Sequence, residues 1–275
     1  MHIKKCLFPV AGYGTRFLPA TKSMPKEMLP ILNKPLIHYG VEEALNAGMT
    51  EMALITGRGK RAIEDYFDIT YELEDQISGT SKEKRLSDVH ELIERCTFSY
   101  TRQVHMNGLG HAILTGETLI GNEPFGVLLA DDLCVGEEDG VMAQLVRVYL
   151  EYGCSVVAIE EVPQETVDRY GVIAGEPLSA GLYRVTHMVE KPDPAQAPSN
   201  LAIIGRYILT PDVFDILRDT SPGSGGEIQI TDALNVQAQQ GKVVACRFRG
   251  RRFDCGSVDG FVAATNAFYQ GSKSS

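Results

Sequence analysis

With 275 residues, 44% hydrophobic and 23% charged, the chain is long enough to bury a large core and has the make-up of one sizeable α/β domain. Its 36 acids against 26 Lys and Arg leave a net charge of -10, and with no basic stripe beyond the N-terminal loop a nucleic-acid footprint is excluded. No apolar run approaches the ~18 residues of a membrane span, and the six scattered cysteines (Cys6, Cys96, Cys134, Cys154, Cys246, Cys255) form no Cys-x-x-Cys pair, so reduced thiols, a cytoplasmic location and no membrane partner are expected.

The first apolar run, 6–10, has strand length and leads directly into Ala11-Gly12-Tyr13-Gly14-Thr15-Arg16-Phe17. Gly12 and Gly14 lack a Cβ, so their backbone can take positive φ and turn N–H groups toward an anion at close range. From residue 1 to 34, six cations (Lys4, Lys5, Arg16, Lys22, Lys26, Lys34) face one acid, Glu27, a local +5 inside a chain of -10. Such a reversal of sign focuses field on polyphosphate, and the loop reads as a phosphate cradle. It is not a P-loop, because Gly14 is followed by Thr15 and Arg16. Nor is it a dinucleotide fingerprint: Phe17 stands where the third glycine belongs, and Thr56-Gly57 follow the second strand where an acid is required.

Further strand-length runs recur at 52–56, 98–102, 127–130 and 155–159, with helical periodicity between them. Residues 35–48 place Leu36, Ile37, Val41, Ala44 and Leu45 on one face, with Pro35 suited to the first turn and Gly48 to the C-cap. Residues 141–153 repeat the device and close on Gly153. This alternation predicts an α/β fold with a Rossmann-like, mixed but mainly parallel central sheet flanked by helices, and ligands at the carboxyl ends of strands. Between 64 and 95 lies a charged helical excursion too polar to be central. After Glu160 the rhythm changes to strands at 171–173, 181–189 and 201–209, joined by turns at Pro192, Pro194 and Pro198. A helix from Thr210-Pro211 to Arg218, a glycine loop at 223–226 and a helix from Glu227 follow. One domain over 1–270 is expected, its N-terminal half binding a nucleotide and about 160–256 forming a smaller β-rich lobe; 271–275 reads as a disordered tail.

Asp131 and Asp132 follow the apolar strand 125–129, whose end falls near the glycine loop in a parallel sheet. A carboxylate there suits Mg²⁺, which takes one or two carboxylates together with phosphate and water, so a second acid from a distant segment is expected. Asp254, in Arg251-Arg252-Phe253-Asp254-Cys255-Gly256-Ser257, is the candidate. The plainer reading makes Asp131 and Asp132 turn or helix-cap residues.

Seven ordered blocks carry a resemblance that covers nearly the whole chain. They are Pro9-Val-Ala-Gly-Tyr-Gly-Thr-Arg-Phe-Leu-Pro19, Pro25-Lys-Glu-Met-Leu-Pro30, Gly108-Leu-Gly-His-Ala112, Arg169-Tyr-Gly-Val172, Val189-Glu-Lys-Pro192, Gly225-Gly-Glu-Ile-Gln-Ile-Thr-Asp232 and Phe253-Asp-Cys-Gly-Ser257. Together the sequence resembles the bacterial UTP–glucose-1-phosphate uridylyltransferases of the sugar-nucleotidyltransferase superfamily. The resemblance implies the nucleotide-diphospho-sugar transferase fold, a sugar-binding role for the β-rich lobe, and a homodimer or homotetramer. It also implies conversion of UTP and α-D-glucose 1-phosphate to UDP-glucose and pyrophosphate with Mg²⁺.

By the same resemblance, Ala11, Gly12 and Gly14 contact the nucleotide through the backbone, with Thr15 beside them. Arg16 and Lys26 bind the triphosphate and stabilise departing pyrophosphate. Gln103 would match the N3–H and O4 edge of uracil with its amide acceptor and donor pair, while Gly108 allows close backbone approach. Glu190 would accept protons from sugar hydroxyls, Lys191 would hold the sugar phosphate, and Gly171 would let the main chain abut glucose. Mg²⁺ would sit on Asp131 and Asp254. Since the attacking phosphate oxygen is already ionised near neutral pH, no general base is needed, and the six histidines, His111 included, are expected to be structural or surface groups.

Two positions depart from the family: 103–108 is less basic than usual, and Val258 stands where a lysine is often found. A thymidylyltransferase using dTTP would share the fold, but that family usually carries Asp-Thr-Gly where this chain has Asp254-Cys255-Gly256. A nucleotide-sugar-binding regulatory paralogue would be expected to lack Arg16 or a metal carboxylate, and both are present.

Overall fold

The computed structural model describes residues 2–274. The first half contains β1 (Lys5–Pro9), the short β2 (Pro30–Ile31) and β3 (Lys34–Pro35), α1 (Leu36–Asn46), β4 (Glu51–Thr56), α2 (Arg61–Tyr66), α3 (Tyr71–Ile77) and α4 (Ser87–Arg95). It continues with β5 (Thr97–Arg102), α5 (Leu109–Thr115), α6 (Glu117–Ile120), β6 (Phe125–Leu128), β7 (Asp132–Gly136) and α7 (Val141–Tyr152). Four strands open the second half: β8 (Ser155–Glu161), β9 (Gly171–Ser179), β10 (Leu182–Glu190) and β11 (Leu201–Leu209). Then come α8 (Val213–Asp219), α9 (Ile230–Gln239), β12 (Val243–Arg247), β13 (Gly250–Asp254) and α10 (Val258–Ser274).

A nine-stranded sheet in the order β5-β4-β1-β6-β11-β8-β12-β10-β9 carries the molecule. Within it β10 and β11 run against the other strands, so the sheet is mixed and mainly parallel as the alternation predicts. The β-rich lobe of the second half continues this sheet, with β9 also touching β11 at Ala202 opposite Val172. β7 and β13 form a separate ribbon that sets Asp132 opposite Asp254. Along β11 the pairing with β8 falls out of step. Ile203 faces Ile159 and Tyr207 faces Val157, so four steps on one strand match two on the other, and 204–206 form a bulge.

Strand alternation distributes the core to both faces of the sheet. Phe8, Leu54, Val156 and Ile204 join Ile37, Val41 and Leu45 of α1 and Leu145 of α7 on one side. Leu7, Ile55 and Val157 join Ile113 of α5, Phe214 and Leu217 of α8 and Leu234 of α9 on the other. Strands covered on both faces must be apolar throughout, which explains the unbroken runs in the sequence. Gly153 closes α7 in the left-handed conformation (φ 64°), a position that strains any residue bearing a Cβ. The charged excursion folds as α2, α3 and α4, and all six cysteines are free.

Of the boundaries that differ from expectation, two have a visible physical cause. α9 starts at Ile230, beyond Glu227, because the preceding stretch is held extended: Ile228 N donates to Asn107 O (2.8 Å) and Gly110 N to Ile228 O (2.8 Å). The tail expected to be disordered from Gly271 is helical through Ser274, its last turn tied by Ser272 Oγ–H to Tyr269 O (2.8 Å) and by Lys273 Nζ over the Tyr269 ring (4.4 Å); Ser275 lies outside the described residues. Among the described residues no helix is long and apolar enough to cross a membrane.

Candidate active site

Because β1 and β6 are parallel neighbours, the loop after Pro9 and the turn after Leu128 emerge side by side. A cavity of about 900 Å³ opens there, lined by Gly12, Gly14, Thr15, Arg16, Lys26, Asp131, Gly171, Glu190, Lys191 and Asp254. Residues from four distant stretches of sequence thus meet in one space. A smaller hollow of about 300 Å³ among α3 and α4, lined by Tyr71, Glu74 and His90, holds none of them.

Gly14 takes φ 66° and its carbonyl accepts the Thr21 hydroxyl at 2.7 Å, which pins the glycine loop. Lys26 Nζ lies 2.5 Å from Asp131 Oδ2. Burial works against the Lys26 ammonium, yet Asp131 and Glu27 outweigh it and hold its pKa above the ordinary value. Glu27 is itself buried and pairs with Lys60 at 2.7 Å.

The acid pair converges on Gly256. A Cβ added there would stand 3.0 Å from Asp254 Oδ1, 3.1 Å from Asp131 Oδ2 and 3.3 Å from Arg16 Nη1. Arg16 Nη1 also donates to Gly256 O at 3.3 Å, and Gly256 N to Asp254 Oδ1 at 3.1 Å. Among the described residues no three His, Cys, Asp or Glu gather as an all-protein metal cage. Two carboxylates that line one cavity and approach the same glycine fit a hard divalent cation that also takes phosphate and water oxygens.

The neighbouring Asp131 and Asp132 are driven apart by their surroundings. For Asp131 burial favours the neutral acid, but the Lys26 charge and hydrogen bond prevail and its pKa falls below the ordinary value. Asp132 is more enclosed, and burial outweighs Arg252 so that its pKa rises. Both Asp132 carboxylate oxygens are already occupied, Oδ1 by Arg252 Nε (2.7 Å) and Oδ2 by Gly205 N (2.9 Å). Asp131, paired through Oδ2 with Lys26 alone among the side chains, lines the cavity and is the better placed of the two to meet a cation.

At the ends of β9 and β10, the Thr231 hydroxyl donates to Glu190 Oε2 at 2.7 Å, and Lys191 Nζ lies 3.5 Å from Glu190 Oε1. Lys191 holds a left-handed backbone (φ 47°), unusual for a residue with a side chain, while its N–H donates to Tyr170 O (2.9 Å). Glycine at 171 keeps this corner open: a Cβ there would approach Thr231 Oγ1 to 2.7 Å and Glu190 Oε2 to 3.2 Å and displace those side chains.

Ala11, Gln103 and Gly108 do not line the cavity. Gln103 is buried, and its Nε2 faces Gly108 O at 3.2 Å and His111 Nδ1 at 2.9 Å. Since the carbonyl can only accept, the amide nitrogen must face it, and His111 Nδ1 accepts the second N–H. Both amide protons are thus engaged within the protein, which leaves the amide oxygen of Gln103 as the group with bonding capacity to spare. Gly108 has a packing reason of its own, since at φ 96° a Cβ would come within 2.7 Å of Glu227 Cβ. Sequence reading assigned no role to Tyr170, Gln229, Thr231 or Arg252, which all line the cavity. The first three stand inside the matched blocks and Arg252 directly precedes one, and that adjacency was the available signal.

The family described as nucleotidyl transferase matches residues 9–271. A UTP–glucose-1-phosphate uridylyltransferase of Pseudomonas aeruginosa is 65% identical over 269 residues, covering 98% of this chain and 96% of the relative. A crystal structure of apo UDP-glucose pyrophosphorylase superposes with TM-score 0.95 at 61% identity, covering 98% of this chain and 99% of that one. A UDP-glucose pyrophosphorylase complexed with UDP-glucose gives TM-score 0.91 at 58% identity with the same coverage. With the glycine loop, the acid pair and every strand of the main sheet except most of β1 inside the matched span, the chain belongs to the nucleotidyl transferase family.

Proposed function

We propose that the protein is a UTP–glucose-1-phosphate uridylyltransferase, joining UTP and α-D-glucose 1-phosphate into UDP-glucose with release of pyrophosphate. The observation that carries this reading is the single cavity in which Arg16, Lys26 and the Asp131–Asp254 pair share space with Gly171, Glu190 and Lys191. The high identity to relatives of that name supports the choice of substrates.

The reaction forms a bond from a phosphate oxygen of the sugar to the α-phosphorus of UTP and breaks the bond to the leaving pyrophosphate. No proton need move, so catalysis rests on positioning and on suppressing repulsion between two polyanions. Unit charges 4 Å apart interact by ~4 kcal/mol at an effective dielectric of 20. Gly12, Gly14 and Thr15 would present backbone to the nucleotide; Ala11, which does not line the cavity, is left without that role. Arg16 and Lys26 would take the charge developing on pyrophosphate, and Lys191 would hold the sugar phosphate in line. Glu190, oriented by Thr231, would accept sugar hydroxyls beside Gly171. Gln103 would read the base. Asp131 and Asp254 would hold Mg²⁺, which when bound neutralises phosphate charge and orients the reacting oxygens.

The test is pyrophosphate release by the purified protein with Mg²⁺ and glucose 1-phosphate, comparing UTP, dTTP, ATP and GTP against chelated and sugar-free controls. Sugar-dependent release led by UTP is expected. A dTTP lead would move the assignment to a thymidylyltransferase, and UDP-glucose binding without any release would make the protein a regulatory paralogue.

A further inference from the structure

Arg206 is 1% exposed and lies in the bulge of β11, an isolated cation within an otherwise apolar strand. A guanidinium has five N–H donors, and each finds an acceptor here. Nη1 reaches Leu129 O (3.2 Å) and Gly205 O (3.0 Å), while Nη2 reaches Asp132 O (2.7 Å) and Glu43 Oε2 (2.8 Å). Nε bonds the Glu43 carboxylate at 3.1 Å and 3.2 Å. Glu43, from α1, is held in turn by Met142 N at the start of α7 (2.9 Å).

The two carbonyls at 129 and 132 bracket Ala130-Asp131, so the fork grips the chain on both sides of the acid that faces the cavity. The same turn is bonded to β11 by Leu129 N to Gly205 O (2.9 Å) and Gly205 N to Asp132 Oδ2 (2.9 Å). Gly205 permits this closeness: a Cβ would meet Leu129 Cβ at 2.7 Å and Asp132 Oδ2 at 2.8 Å. A buried ion pair is a weak source of stability, and apolar residues of similar size often do as well. What an apolar pair could not do is bond three carbonyls in fixed directions.

We propose that Arg206, locked by Glu43, is a positioning residue that sets the Asp131 carboxylate for the divalent cation, acting through the backbone of the 129–132 turn. The inference rests on the reading of Asp131 as a metal acid. It touches neither substrate nor Asp131 directly, and its effect is on metal affinity and on turnover more than on sugar binding.

The experiment measures Mn²⁺ binding by electron paramagnetic resonance, with and without UDP-glucose, for wild type, Arg206→Lys, Glu43→Gln and Asp131→Asn, beside steady-state kinetics and thermal melts. Lys keeps the charge but cannot span three carbonyls, and Gln keeps the shape of Glu43 while removing its charge. Both variants are expected to weaken Mn²⁺ about tenfold and to raise the Mg²⁺ requirement of turnover in parallel, with KM for glucose 1-phosphate within about twofold. Should Arg206→Lys fail to fold, Glu43→Gln decides. Lower melting temperature with wild-type Mn²⁺ affinity in the folded variants would make the clamp merely structural and overturn the inference. If Asp131→Asn loses Mn²⁺ in that case, the metal reading stands alone; if it binds Mn²⁺ like wild type, both fall.

Discussion

Beneath the Asp131 turn every donor of Arg206 is engaged and both carboxylate oxygens of Asp132 are bonded, whereas Lys191, just past the end of β10, has its side chain 46% exposed and meets Glu190 at the long distance of 3.5 Å. The floor holds buried charges in fixed pairs. The rim keeps bonding capacity in reserve. A group that fixes geometry is useful when nothing about it can change, and a group that meets a ligand is useful when its partner has yet to arrive. The same contrast appears in Asp131 and Asp132, adjacent in sequence and pushed to opposite sides of the ordinary pKa.

The largest effect that would break this comparison is on stability at the floor. Arg252→Leu leaves Asp132 buried without its cation, and chemical denaturation should show a loss of about 3 kcal/mol; a loss near zero would mean the floor is not held by its charge pairs. Asp254→Asn should leave the melt nearly unchanged and reduce kcat on the order of 10²-fold with an altered Mg²⁺ titration. A wild-type titration would assign the second metal acid elsewhere. At the rim, Lys191→Ala should raise KM for glucose 1-phosphate about tenfold with little change in kcat, and unchanged kinetics would remove Lys191 from the site. Smallest is Thr231→Val, which removes the hydroxyl from Glu190 Oε2 and should cost about 1 kcal/mol in kcat/KM. Equal kcat/KM would show that Glu190 is oriented without it.

Much of the frame was legible because the sheet is covered on both faces: strands such as Cys6-Leu7-Phe8 must then be apolar at every position, and Gly153 marks its helix end by backbone geometry alone. That the glycine loop meets the distant Asp131 and Asp254 at one cavity was also expected from the sequence, on the argument that phosphate and a divalent cation call for particular residue types. The orientation of Gln103 was not, because it depends on which neighbour can only accept a hydrogen bond. Nor was the Arg206–Glu43 pair, whose partners lie 163 positions apart in two unremarkable segments. A single arginine inside the apolar run 201–209 was nevertheless visible, and a charge at such a position requires a buried partner. The C-terminal helix was missed because its last turn relies on local contacts at Tyr269 that polar composition does not reveal.

The out-of-step stretch of β11 makes the length of that strand part of its function. Side chains along a strand alternate between faces, so deleting one residue from 204–206 would turn over everything on one side of the cut and send core residues to the wrong face. Deleting two would restore an even ladder with β8, since the mismatch there is four steps against two. That repair would erase part of the segment that bears Gly205 and Arg206. An insertion or deletion at this point is therefore harmful in either parity, and the length of β11 is expected to be held as tightly as Gly205 and Arg206 themselves.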